Sequence, residues 1–455
     1  MSARLRTLWY ALGALIPVLW LAAHWSAPLV EDSLFWFVPT AIQESETGLV
    51  LAAEGPLPAA VEAPGAPMPP QWKDGLPDTA HPPLWFWWMA LFLKAGIRLG
   101  SVRAACVLPA ALAGLGFVAL AESQGRAWAG LLVWAIPSVL AQLLRPELDL
   151  PLLACIPWAL VALRWNTWSL FALVAAVATW CKEPGALLIV PALVAGARRR
   201  QLPLQALAPL AAIAAWAGAH GGLAAATQSP TTWAQFGENT LGIFRFVAFD
   251  QGRALLVLGA AGLLAAPVET SLIVTFCVFF ASVRYDATAG TEDAFTHLRY
   301  LSPAVALYVV TTASRLDHPL AVLQLYWLHR MHVHGPEGSM AGVDSAYADR
   351  AAFESIGPGE TAWAGSYAAA GVGRSWTGQP ALPGVKVYDF GTIPAQIATG
   401  DLFIASTYGE PSRRLEHALN VQGVTTWAVG EVQSRVVRVV GQNPEGWVPA
   451  ALPPR

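Results

Sequence analysis

Charge is scarce in this chain. Of its 455 residues, 13% are Asp, Glu, Lys or Arg, about half the share of a soluble domain. So few charges cannot cover a water-facing surface of this length, which excludes an ordinary soluble protein, and the apolar content excludes a disordered one. A basic excess is lacking too, with 27 Lys and Arg against 30 Asp and Glu. That balance supplies no stripe for phosphate backbones, so no nucleic acid is expected as a partner. The four cysteines (Cys106, Cys155, Cys181 and Cys277) all lie in apolar stretches without metal-ligand spacing. They read as small core hydrophobes. His329, His332 and His334 have linker-like neighbours and read as exposed rather than metal-binding. No internal repeat of the kind that marks the halves of a transporter is visible.

What is abundant is apolar. Hydrophobic residues make up 55% of the chain, 21 residues are Trp, and the mean hydropathy is +0.47. Trp gathers at membrane–water boundaries. The expected fold class is therefore an α-helical polytopic membrane protein. Apolar runs fall near residues 7–24, 103–121, 128–144, 149–164, 167–181, 184–197, 203–224, 253–266, 268–283 and 300–313. With short or re-entrant additions, that pattern amounts to about 10–12 spans. The first run follows Arg4 and Arg6 and reads as an uncleaved span with its start inside.

Arg198-Arg199-Arg200 is the clearest inside marker, and counting back from it puts Arg126 and Arg164 inside as well. The loop 26–80 then lies outside. It is acidic, with a Pro/Ala/Gly-rich middle at 54–70 that reads as an extended insertion. His81-Pro82-Pro83 opens the aromatic run Leu84–Met89, compatible with either an interface helix or a span. Residues 1–328 form the expected membrane domain. Residues 329–455 alternate strand-like runs (385–390, 401–407, 425–429, 435–440) with helical candidates (343–356, 411–421), as in a small soluble α/β domain. That domain lies outside if 316–328 adds one more short span, and inside otherwise.

Ionisable groups at membrane depth face a cavity, a partner or a substrate. The set here is Glu31-Asp32, His81, Arg145/Glu147/Asp149, Lys182/Glu183 and His297/Arg299, all on the outer side. Charges of both signs suit a reaction in which a carboxylate deprotonates an acceptor while cations hold a departing phosphate. Plainer roles stay open: Arg145 and Arg299 as snorkelling anchors, Lys182-Glu183 as a neighbouring ion pair, and His81 and Glu31-Asp32 as loop residues. A secondary transporter or flippase, or a non-catalytic scaffold, also places charges within spans.

The acidic pair after the first span, then H-P-P-L-W-F-W, R-P-E-L-D, C-K-E-P-G-A-L-L and H-L-R-Y-L-S-P, occur in this order. Together they resemble the GT-C class of membrane glycosyltransferases, in the protein mannosyltransferase and aminoarabinose transferase group (family 39, ArnT-like). The resemblance covers about residues 5–313. It implies a polyprenyl-phosphate sugar donor and a lipid, glycan or protein acceptor. The enzyme would be integral to a bacterial inner membrane, among membrane lipids, and would act on the periplasmic side. By the same resemblance Asp32 is the general base with Glu31 beside it, and the order Glu-Asp leaves both as candidates. Lys182, Arg299 and Arg145 would lie near the donor phosphate. His81, Pro82, Pro83, Glu147, Glu183 and Tyr300 would shape the site. A single inverting displacement is expected. Acidic pairs act with Mg²⁺ or Mn²⁺ or without either, so a divalent metal stays open.

The orientation has a direct test. A cysteine replacing Gly55 should react with a membrane-impermeant thiol reagent applied from outside, whereas one replacing Gln201 should not. The reverse labelling pattern would remove the shared external face.

Overall fold

The first helix begins where the sequence provides a cap, with the Ser2 side chain accepting the Leu5 N–H at 3.3 Å. From there the computed structural model describes residues 2–29, 33, 37–47, 81–219, 232–248, 257–282, 298–316, 341–357, 359–360, 362–364, 385–387, 397–406, 419–429 and 432–442. The helices are α1 (Ala3–Ala23), α2 (Val38–Thr47), α3 (Leu84–Leu93), α4 (Leu99–Ser123), α5 (Pro137–Gln142), α6 (Asp149–Arg164) and α7 (Trp168–Cys181). They continue with α8 (Ile189–Arg199), α9 (Ala208–Ala219), α10 (Trp233–Ala248), α11 (Ala261–Ala265), α12 (Pro267–Ser282), α13 (Ser302–Ala313) and α14 (Ala341–Glu354).

Among the described residues, α1 and α4 are long and apolar enough to cross a membrane alone. A third candidate is the pair Val257–Ala265 and Pro267–Ser282, bent by 113°. Proline explains that bend, because it drives the preceding residue out of the helical region, and Ala266 sits at φ −124°, ψ 60°. The same rule divides the run expected as one span over 128–144. Ile136, before Pro137, is extended, and the run becomes a 3-10 segment Ala127–Ala135 followed by the short α5. The aromatic helix α3 has only ten residues and buries Trp85, Phe86, Met89, Ala90 and Leu93. At about 1.5 Å per residue it is too short to span.

Helices α1 and α4 meet backbone to backbone. A Cβ on Gly114 would stand 1.8 Å from the Gly13 carbonyl oxygen, so only glycine allows this approach. The core behind it is Ala-, Leu- and Val-rich, running from Leu21 through α4 and α6 to α13.

The sheet has the order β2-β1-β3-β5-β4, from β1 (Ala362–Ala364), β2 (Val385–Val387), β3 (Leu402–Ser406), β4 (Leu419–Val429) and β5 (Val432–Gln442). β1 pairs parallel with β2 and β3, while β3–β5 and β5–β4 are antiparallel. Alternation sends Ala362, Ala364, Leu402 and Ile404 to the face covered by Ala352 and Phe353 of α14. Trp363, Phe403 and Ala405 pack on the opposite face. The helix expected over 411–421 is corrected at its end. Residues 419–421 open β4, paired to β5, and 411–418 lie outside the described residues. The short β1, Ala-Trp-Ala, carries no strand signal of its own. Val343 and Ala346 of α14 join the helical core, so this helix links sheet and bundle.

Gly114→Val should destabilise the fold by about 3 kcal/mol, the upper end for overpacking, because backbone rather than a flexible side chain must move. A thermal melt in detergent checks this. Gly237→Ala on α10, where an added Cβ meets nothing within 4 Å, should leave the melting temperature unchanged or slightly raised.

Candidate active site

Lys182 follows the last residue of α7, and Asp149 is the first residue of α6. A cation at a helix C-terminus and an anion at an N-terminus each complement the local dipole. Here the two side chains also bond each other, Nζ to Oδ1 at 2.5 Å, with both almost fully buried. The motif after Lys182 shapes the turn. A Cβ on Gly185 would stand 2.4 Å from the backbone of Ala178 and Thr179, so glycine lets the chain fold back against α7. Lys182 Nζ also lies 4.0 Å from the Tyr300 ring centroid, a close cation–π contact. Tyr300 in turn stacks on Phe280, with ring centroids 5.9 Å apart.

The turn between α5 and α6 carries Arg145, Pro146 and Glu147, and both charged residues are buried. The Glu147 N–H donates to the Arg145 carbonyl at 2.7 Å. Glu147 Oε1 accepts the Ser33 hydroxyl at 3.2 Å, and the Trp85 indole N–H donates to the Pro146 carbonyl at 3.0 Å. His81 Nδ1 stands 2.8 Å from Glu183 Oε1, and the Phe37 and His81 ring centroids are 6.0 Å apart. Burial works to raise the Glu183 carboxyl. The facing His81 and the adjacent Lys182 outweigh it and hold the group below its ordinary value. Pro82 and Pro83 are buried at the start of α3, where missing N–H groups do no harm.

Of the residues named from the sequence, His81, Pro82, Pro83, Arg145, Glu147, Lys182, Glu183 and Tyr300 therefore come from α3, the α5–α6 turn, the α7–α8 turn and the start of α13 to one end of the bundle. Lys182 and Glu183 do not pair with each other, because adjacent side chains on an extended backbone diverge. Lys182 pairs with Asp149 and Glu183 with His81. Glu31, Asp32 and His297 lie outside the described residues, although Ser33, next to Asp32, is placed against Glu147. Arg299 falls in the 3-10 turn Leu298–Leu301, and its side chain lies outside the described residues. Among the described residues no group of three or more His, Cys, Asp or Glu side chains is placed to hold a metal ion.

Sequence reasoning misses Arg103. This wholly buried arginine donates through Nη1 to the Leu144 carbonyl and through Nη2 to the carbonyls of Ala27 at 2.7 Å and Pro28 at 3.5 Å. Its signal is a lone charge beside an apolar run. The apolar run reads as starting at Arg103, whereas α4 starts one turn earlier at Leu99. Charge also gathers at the opposite end of the bundle. There the fully buried Glu269 pairs with Arg164 at 2.5 Å, and Glu122 joins Arg6 and Tyr10.

No family model matches the chain, and no curated protein matches it. Among solved structures it is similar to two crystal structures of ArnT from Cupriavidus metallidurans, one bound to undecaprenyl phosphate and one in the apo state. Each aligns at 12% identity and a TM-score of 0.49, covering 97% of this chain and 100% of that chain.

The Lys182–Asp149 pair is testable by a mutant cycle. Lys182→Met or Asp149→Asn should each cost about 3–5 kcal/mol of stability, since each leaves a buried group unmatched. The double variant Lys182→Met/Asp149→Leu should recover most of that loss in a thermal melt. Additive losses would mean the pair is not coupled.

Proposed function

We propose that the chain is a membrane glycosyltransferase that moves a sugar from a polyprenyl-phosphate donor to a lipid, glycan or protein acceptor. One observation carries the reading. Arg145, Glu147, Asp149, Lys182, Glu183 and His81, dispersed over a hundred residues of apolar sequence, converge in and beside a buried cluster at one end of the bundle. Buried charge of both signs suits displacement of a phosphate from an anomeric carbon, with a carboxylate for the proton and cations for the leaving anion. The order of the motifs that carry these residues supports the same reaction.

In this mechanism Asp32, or Glu31 beside it, takes the proton of the acceptor hydroxyl or amine. The acceptor atom forms a bond to the anomeric carbon as the bond from that carbon to the phosphate oxygen breaks. The polyprenyl phosphate leaves with the electron pair as an anion and needs no acid, because cations suffice to hold it. Arg145 and Arg299 are assigned to that anion. Lys182, whose charge Asp149 already balances, contributes a fixed dipole and positions Tyr300. His81 and Glu183 brace the start of α3 against the α7–α8 turn. One displacement gives inversion at the anomeric carbon.

The geometry also supports an external position for the sheet unit. Ser314, just past α13, donates to Gln124, and Arg126 donates to the Leu316 carbonyl, so α13 ends beside the close of α4. Tyr347 of α14 packs against the helical core within electrostatic reach of Arg103, near the start of α4. That contact of α14 favours a sheet on the side of the charged cluster.

The test is release of polyprenyl phosphate from lipid-linked sugars by the protein in nanodiscs. Asp32→Asn should lower turnover at least ~100-fold while undecaprenyl phosphate still binds. An unchanged rate in that variant would move the base to Glu31. Absence of turnover on any lipid-linked sugar by the wild-type chain would overturn the reading.

A further inference from the structure

The end of the bundle away from the candidate site carries arginines that no carboxylate answers. Arg198 and Arg199 close α8 and Arg200 follows them, with Arg198 and Arg200 exposed. Among the described residues none of the three is in an ion pair, since Glu269 is taken by Arg164 and Glu122 by Arg6. Three adjacent guanidinium groups repel one another, so an anion from outside the chain is the partner this turn lacks.

The turn is built for its position. Arg199 Nη2 donates to the Leu163 carbonyl at 2.6 Å and to the Arg164 carbonyl at 3.3 Å, which ties the close of α8 to the close of α6. A Cβ on Gly196 would stand 2.7 Å from Leu202 and 2.9 Å from the Gln201 carbonyl oxygen, so glycine lets the chain after Arg200 fold back on α8. Arg200 itself sits at φ 53°, in the left-handed region where glycine is the cheaper residue. An arginine held in that conformation points to a use for its charge.

What flanks the arginines is apolar. Leu202 and Leu204 are 54% and 81% exposed, and Trp165, at the end of α6 that Arg199 caps, is 54% exposed. A small anion gains nothing from these side chains. A phosphate carrying acyl chains engages both kinds of group, its headgroup meeting the arginines while its chains lie along the leucines and the indole.

We propose that Arg198–Arg200, with Trp165, Leu202 and Leu204, form a binding site for an anionic glycerophospholipid of the surrounding bilayer. Arg198 and Arg200 hold the headgroup phosphate, and Arg199 fixes the two turns that receive it. The inference needs only the membrane fold and stands apart from the glycosyltransferase reading.

The test is native mass spectrometry of the full chain in detergent, titrated with phosphatidylglycerol or with phosphatidylcholine of the same acyl chains. The wild type should bind phosphatidylglycerol at least ~10-fold more tightly. Arg198→Gln/Arg200→Gln should lower that affinity about 25-fold, or about fivefold for each arginine, and leave phosphatidylcholine binding as it was. Arg200→Gly removes a charge together with the backbone strain. It should therefore lower phosphatidylglycerol affinity about fivefold while the melting temperature in phosphatidylcholine holds or rises, a split that a merely structural arginine would not produce. Arg4→Gln, at an exposed arginine of α1, should change the affinity less than about twofold. Inorganic phosphate in large excess should not displace the lipid, and Leu204→Ser should weaken lipid binding. Displacement by phosphate, with Leu204→Ser without effect, would make this a site for a free anion and overturn the proposal. Equal affinity for the two lipids would overturn it as well, as would a loss with Arg4→Gln as large as that of the double variant.

Discussion

An ammonium and a carboxylate taken out of water are tolerable only together, and the Lys182–Asp149 pair imposes that condition on the whole charged end of this bundle that holds the candidate site. The pair locks the end of α7 to the start of α6. Because Lys182 is fixed, so is Tyr300 against its ammonium. Glu183, one residue on, is aimed at His81, which sets the start of α3. Asp149 likewise fixes the register of the turn that carries Arg145 and Glu147. Replacing such a pair by well-fitted apolar residues is often neutral or stabilising. Its significance here lies in direction, as one bond orients four segments.

The pair depends on a second constraint, the close approach of backbones. The α7–α8 turn can deliver Lys182 only because Gly185 rests on the backbone of Ala178 and Thr179. At the other side of the bundle, Gly13 and Gly114 let α1 meet α4, so that the chain leaving α1 passes Arg103. With lipid outside, apolar packing alone gives little preference between helix arrangements, and small residues and buried polar groups decide among them. The charged cluster and the glycine approaches are therefore two parts of one arrangement.

Much of this is legible in the sequence. Long apolar runs identify the helical class, and charges interrupting them point to the cluster, because few other reasons hold such groups in lipid. His81, Arg145, Glu147, Lys182 and Glu183 stand out on that ground alone. Their pairing does not, since adjacency favours Lys182 with Glu183 while the extended backbone turns those side chains apart. Arg103 is hidden by an uncertain helix start, as boundaries carry weaker signals than cores. Proline-split runs such as 128–144 have the composition of a span without its continuity. In the sheet, β1 has too few residues to show alternation and is defined by its neighbours. Residues 419–421 take strand structure from pairing with β5 rather than from local preference.

Helix α6 begins at Asp149 and ends at Arg164, and each of these residues is held in an ion pair. Sixteen residues span about 24 Å, less than the ~30 Å hydrocarbon thickness of a typical bilayer. Thirteen of the sixteen are buried inside the bundle, so neighbouring helices rather than lipid surround α6. Adding a turn to it would therefore displace packed protein instead of membrane, and would carry one of its two ion-paired ends about 5 Å from its partner.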